Sequence, residues 1–165
     1  MSEETLDFLQ ESMEFENWVL TMGASLMFKG KSLDDWNNTL QIPTVSSTSE
    51  LNLSEVEILN GKALSLIEIV MSNLSIAKSS FFAAKAAHEI NMIKTRRNII
   101  DLCESTNKRI PSNDNLEKQC SLDCLKTYKI LMMSEIVFEF WNIQSFKLNR
   151  FNERLTRINI SKQKL

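Results

Sequence analysis

From Val56 to Leu102 the chain returns a small or apolar side chain every three or four residues, and no proline interrupts the series. It runs Val56, Leu59, Ala63, Leu66, Val70, Leu74 and then Ala77, Phe81, Ala84, His88, Met92, Thr95, Ile99 and Leu102. Steps of 3, 4, 3, 4 and 4 repeat, so eighteen residues make five turns, the 3.6-residue period of a straight α-helix. Strands alternate with a period of two and rarely exceed ten residues, so a series this long leaves helix as the only regular structure. Secondary stripes flank it: Ile58, Ile69, Ile76 and Ile90 on one side, and Leu64, Met71, Phe82, Ile93 and Ile100 on the other. Such a helix is expected to be covered on several sides.

The remaining chain agrees with this reading. Three glycines and two prolines in 165 residues are too few for the corners of a β architecture. A second long helix is expected from about 115 to 158, with a stripe of Ile130, Met133, Val137, Phe140, Gln144, Leu148, Phe151, Leu155 and Ile158. Its second face gathers Cys120, Cys124, Tyr128, Leu131, Phe138 and Phe146. Pro111, inside ESTNKRIPSNDN, separates it from the central helix, expected over 55–104 and opened by a Ser54/Glu57 capping box. Ahead of these stand an N-terminal helix over about 3–28, stopped by Gly30, and a short helix over 33–41 capped by Ser32 with Asp35. The expected fold is therefore all-α: an elongated helical bundle on two long antiparallel helices, forming one domain over 1–165. Within it lie an acidic segment 1–42, a Ser/Thr-rich linker 43–54 and a long hairpin 55–165.

Charge is unevenly spread. Residues 1–60 hold eleven acids against Lys29 and Lys31, whereas 61–165 hold seventeen bases against ten acids. The two parts are expected to attract each other or different partners. The basic residues Lys94, Arg96, Arg97, Lys108 and Arg109 form one segment, 94–109. Lys147, Arg150, Arg154 and Arg157 form another, within 147–164. Either can contact phosphates, which makes an accessory role in a DNA or RNA complex the alternative reading. Bases near helix C-termini also complement the helix dipole.

Catalytic chemistry finds little support. The single histidine, His88, has no carboxylate at helical spacing on its own face, so it is read as a packing side chain. Cys120 and Cys124 stand four apart on an apolar face rather than on a C-x-x-C knuckle, and are read with Cys103 as free thiols. There is no G-x-S-x-G and no Gly-rich phosphate loop. The residues assign no metal, cofactor or small-molecule substrate to the chain, and no enzyme activity. Three cysteines without a signal peptide suggest an intracellular setting, cytoplasmic or nuclear. No uncharged apolar run approaches the roughly 18 residues of a membrane span, so no membrane role is expected.

Apolar faces beyond what two helices can cover indicate an interface. The first reading is thus a non-enzymatic assembly or adaptor subunit, self-associating or bound to a protein partner through helix packing. Trp18, Met22 and Trp36 are the candidate partner contacts, Trp36 because it stands between Asp35 and Asn37 and is expected to be exposed.

Overall fold

A computed structural model describes residues 26–41 and 51–163. The fold is all-α with two long packed helices, as the periodicity requires. In chain order the elements are strands β1 (Met27–Phe28) and β2 (Lys31–Ser32), then helices α1 (Leu33–Thr39), α2 (Leu53–Ser105), α3 (Asn113–Asp123) and α4 (Leu125–Gln163). Most of the expected N-terminal helix, with Trp18 and Met22, lies outside the described residues, as does most of the linker 43–54.

The end of the expected N-terminal helix is corrected. Met27 and Phe28 pair antiparallel with Ser32 and Lys31. Lys29 and Gly30 between them take φ of 48° and 78°. Two successive positive φ values make a tight hairpin loop whose twist matches that of its strands. Gly30 is thus a turn residue rather than a helix stop. A Cβ added at Gly30 meets no atom within 4 Å, and the same is true at Gly61 inside α2. The two glycines therefore separate conformation from crowding. Gly30→Ala is expected to lose about 1 kcal/mol, because alanine resists positive φ, while Gly61→Ala gains about 0.5 to 1 kcal/mol in a helix interior. Denaturant midpoints of the two variants check the opposite signs.

Helix ends follow local chemistry, with two more corrections. Ser32 accepts the Asp35 N–H at 3.0 Å and Asp35 reciprocates, so α1 carries the expected capping box; it stops at Thr39 instead of residue 41. At the start of α2 the box lies one frame earlier than Ser54/Glu57. Asn52 Oδ1 accepts the Glu55 N–H at 2.9 Å, and Glu55 Oε2 accepts the Asn52 N–H at 2.8 Å. Asparagine caps as well as serine, and the earlier frame begins the helix sooner, with Val56 N–H on the Asn52 carbonyl. At the far end of α2, Asn107 adopts φ 53° while Lys108 N–H reaches the Cys103 carbonyl at 2.9 Å, a Schellman closure with asparagine in the left-handed position.

The expected helix 115–158 is two helices, α3 and α4, with Cys124 between them at φ −96° and ψ 8°. Thr127 Oγ1 donates to the Cys124 carbonyl at 2.9 Å, and Tyr128 N–H donates to the same oxygen at 3.0 Å. A hydroxyl sharing a helical carbonyl competes with the backbone ladder and favours a bend.

The chain divides into two compact units: residues 1–77 with 137–165, and residues 78–136. In the first unit the deepest side chains of α2 are Val56, Ala63, Val70 and Ala77, and those of α4 are Trp141, Leu148 and Leu155. Each series steps by seven residues, the spacing of a heptad seam, and the stripe residues Leu59, Leu66 and Leu74 between the deepest positions of α2 are half-buried. Trp141 centres the core: its ring lies 5.3 Å from Phe28, 5.2 Å from Trp36 and 5.2 Å from Phe140. The hairpin is tied down by Lys29 Nζ, which donates to Asn73 Oδ1 at 2.7 Å.

The second unit holds the end of α2, all of α3 and the start of α4. Its fully buried side chains are Leu116, Cys120 and Cys124. Across both units the residues of the main α2 stripe are buried or half-buried, and only Leu102 at its end is exposed.

Candidate functional site

The flanking stripes of α2 are where the structure departs most from the sequence expectation. In the second unit Phe82, Ile90 and Ile93 stand 53%, 53% and 69% exposed, with Leu122, Leu125, Tyr128 and Ile130 also open to solvent. In the first unit Ile58, Leu64, Ile69, Met71 and Ile76 are exposed as well. The flanking stripes of α2 were expected to be covered, yet of their members only Ile100 is half-buried and the rest are exposed. Among the described residues, the three helical segments around Leu116, Cys120 and Cys124 leave the other sides of α2 exposed. An apolar face of this extent is rare on a monomeric soluble surface and marks a place where something packs.

Helix α2 also contains an 18-residue stretch with few charges, little of which is buried. By length and composition alone it is apolar enough to cross a membrane. The same helix buries Val56, Ala63, Val70 and Ala77 within the first unit.

The nine candidate phosphate-binding bases are all exposed. In the second unit Arg96 Nη2 donates to Asn113 Oδ1 at 3.1 Å, and Lys94, Arg97, Lys108 and Arg109 lie nearby in sequence. In the first unit Lys147, Arg150, Arg154 and Arg157 follow steps of 3, 4 and 3 along α4. That spacing makes one ridge roughly 15 Å long on a single helix face. The Arg150 guanidinium sits 4.8 Å over the exposed ring of Phe146.

Trp36 is not the open anchor its neighbours suggested. It is half-buried, its Nε1 donates to the Phe28 carbonyl at 2.8 Å, and its edge meets Trp141, while Lys31 Nζ lies 4.9 Å from its ring centre. Its polar handle and much of its surface are used inside the first unit.

His88 is half-buried in the second unit, and the helix against it is α4. Its Nδ1 lies 3.0 Å from Thr127 Oγ1 and its ring 5.6 Å from that of Tyr128. Asn91 Nδ2 donates to Thr127 Oγ1 at 3.4 Å and to Cys124 Sγ at 3.3 Å, and Cys124 Sγ donates to Thr95 Oγ1 at 3.4 Å. Thr95 belongs to the main stripe read from the sequence, whereas Asn91 and Thr127 were not singled out there. The signal for Asn91 was present, for it stands three residues after His88 on an adjoining helix line.

All three cysteines are free, and among the described residues no three His, Cys, Asp or Glu side chains are grouped to hold a metal. Burial, reinforced by the neighbouring Cys124 thiol, pushes the Cys120 thiol above its ordinary value. A protonated buried thiol is a poor nucleophile, in keeping with a packing role. No family model, curated protein or solved structure matches the chain.

Proposed function

We propose that this protein is a non-enzymatic assembly or adaptor subunit that acts through helix packing and associates with itself. One observation carries the reading: the long helix α2 leaves Phe82, Ile90 and Ile93 more than half exposed in a unit whose own buried core is three side chains. Burying apolar area is worth roughly 25 cal/mol per Å², so an uncovered helix face of this kind favours another helix over water. The experiment is sedimentation equilibrium of the purified full chain. Reversible self-association at micromolar concentration supports the reading, and a protein that stays monomeric across the whole soluble range overturns self-association.

A second reading is favoured by the α4 ridge, where four exposed bases share one face beside an exposed phenylalanine. On this reading the chain is an accessory of a nucleic-acid complex, with phosphates along Lys147, Arg150, Arg154 and Arg157 and a base stacked near Phe146. Four phosphate contacts give a log affinity against log salt slope between about −3 and −4. Binding that is absent even at low salt removes this reading and leaves the first intact.

A further inference from the structure

On the exposed side of α2 in the second unit, Ser79, Ala83, Ala86, Ile90, Ile93 and Arg97 follow one another at steps of 4, 3, 4, 3 and 4. This is a second heptad seam on the same helix, with all six side chains exposed. From Ser79 to Ile93 the seam carries no charge, and Ile90 and Ile93 supply its bulk.

The residues flanking the seam indicate what covers it. With Ala83, Ile90 and Arg97 at a and Ser79, Ala86 and Ile93 at d, positions g are Phe82, Glu89 and Arg96. In a parallel pair each g residue faces the e residue of the next heptad on the other helix. Those e residues are Ala87, Lys94 and Asp101, and all six flanking side chains are exposed. Large meets small, acid meets base, and base meets acid. Antiparallel pairing about Ala83 and Ala86 sets Phe82 against Glu89 and forms neither ion pair. Antiparallel pairing about Ile90 and Ile93 sets Glu89 against Arg96 but leaves Lys94 facing Ala87 and Asp101 without a base, so only the parallel register pairs both flanking acids. Arg96 already donates to Asn113, and a guanidinium has further donors for a carboxylate.

We infer that this face of α2 docks a second copy of the same chain, parallel and in register. The inference rests on the assembly reading above and specifies its geometry. Covering Phe82, Ile90, Ile93 and the small residues between them on both copies removes about 1,000 Å² in total, the lower edge for a specific interface. Arg97 faces its own counterpart, a cost that polar residues at a positions impose while fixing register.

Charge exchange in the full-length protein tests this. Glu89→Lys and Lys94→Glu each turn two attractive contacts into repulsive ones, and each is expected to weaken dimerisation about tenfold by sedimentation equilibrium. The double variant, with both charges exchanged, is expected to return to the wild-type affinity. Circular dichroism confirms that these exposed substitutions leave the fold intact. In a Cys103→Ser background, Ser79→Cys crosslinks to its own copy under mild oxidation if the helices run parallel. The antiparallel pairing holds the two positions roughly 16 Å apart along the axis and gives no crosslink. A dimer indifferent to the exchanges and uncrosslinked at position 79 overturns this inference while leaving assembly standing. A protein with no dimer at any concentration overturns both.

Discussion

Replacing Trp141 by alanine is expected to cost about 3 to 5 kcal/mol, a large part of the stability of any single domain. The indole is wholly buried and touches aromatic rings from three elements: Phe28 of β1, Trp36 of α1 and Phe140 of α4. Its removal opens a cavity and also releases the hairpin and the short helix, which rest on it. Trp141→Phe is expected to cost only about 1 to 2 kcal/mol. The smaller ring keeps much of the contact area, and the lost Nε1–H has no acceptor among the described residues. Guanidinium unfolding followed by circular dichroism measures both variants. If alanine at this position left the unfolding midpoint where it was, Trp141 would not be the centre of the first unit.

The double substitution Ile90→Glu with Ile93→Glu is expected to behave in the opposite way. Both side chains already face solvent, so stability should stay within about 0.5 kcal/mol of wild type. Self-association, by contrast, should disappear, because two carboxylates per copy would have to be buried at the centre of the seam. Sedimentation and thermal unfolding on the same preparation separate the two effects. Loss of fold together with loss of assembly would mean that the isoleucines serve the unit's own core. Unchanged assembly would move the interface elsewhere.

Much of the architecture was legible because it depends on local periodicity. The stripe from Val56 to Ile99 appears as the buried or half-buried face of one continuous helix, and the capping box at Ser32 forms as its spacing implied. Three local details were not legible. Lys29 and Gly30 turn a strand because both adopt positive φ, which a lone glycine after a helical pattern does not announce. The cap of α2 lies at Asn52, since two overlapping Asn/Ser-x-x-Glu frames are chemically equivalent until the helix forms. The break at Cys124 coincides with a hydroxyl three residues later sharing its carbonyl, a contact that apolar spacing cannot register.

The candidate sites divide along the same line. His88 was placed as packing by its position in the stripe, and its neighbours Thr127 and Tyr128 come from a helix almost forty residues away in sequence. Trp36 seemed open because its sequence neighbours are polar, but a ring five ångströms from Trp141 is set by the meeting of α1 and α4. Of the several apolar faces of α2, the sequence could say that they exist and at what angles they stand. It could not say which would be covered.

By itself, then, the sequence determined helix content, the long series along α2 and the separation of basic from acidic segments, because these depend on spacing and composition within a few turns. The tertiary structure alone decided that Trp141 gathers Phe28 and Trp36 around it, and that the face carrying Phe82, Ile90 and Ile93 remains open. The physical reason is that burial is a property of pairs of surfaces. An amphipathic pattern states how much apolar area must be hidden, and only the packed chain reveals which of its faces stay exposed.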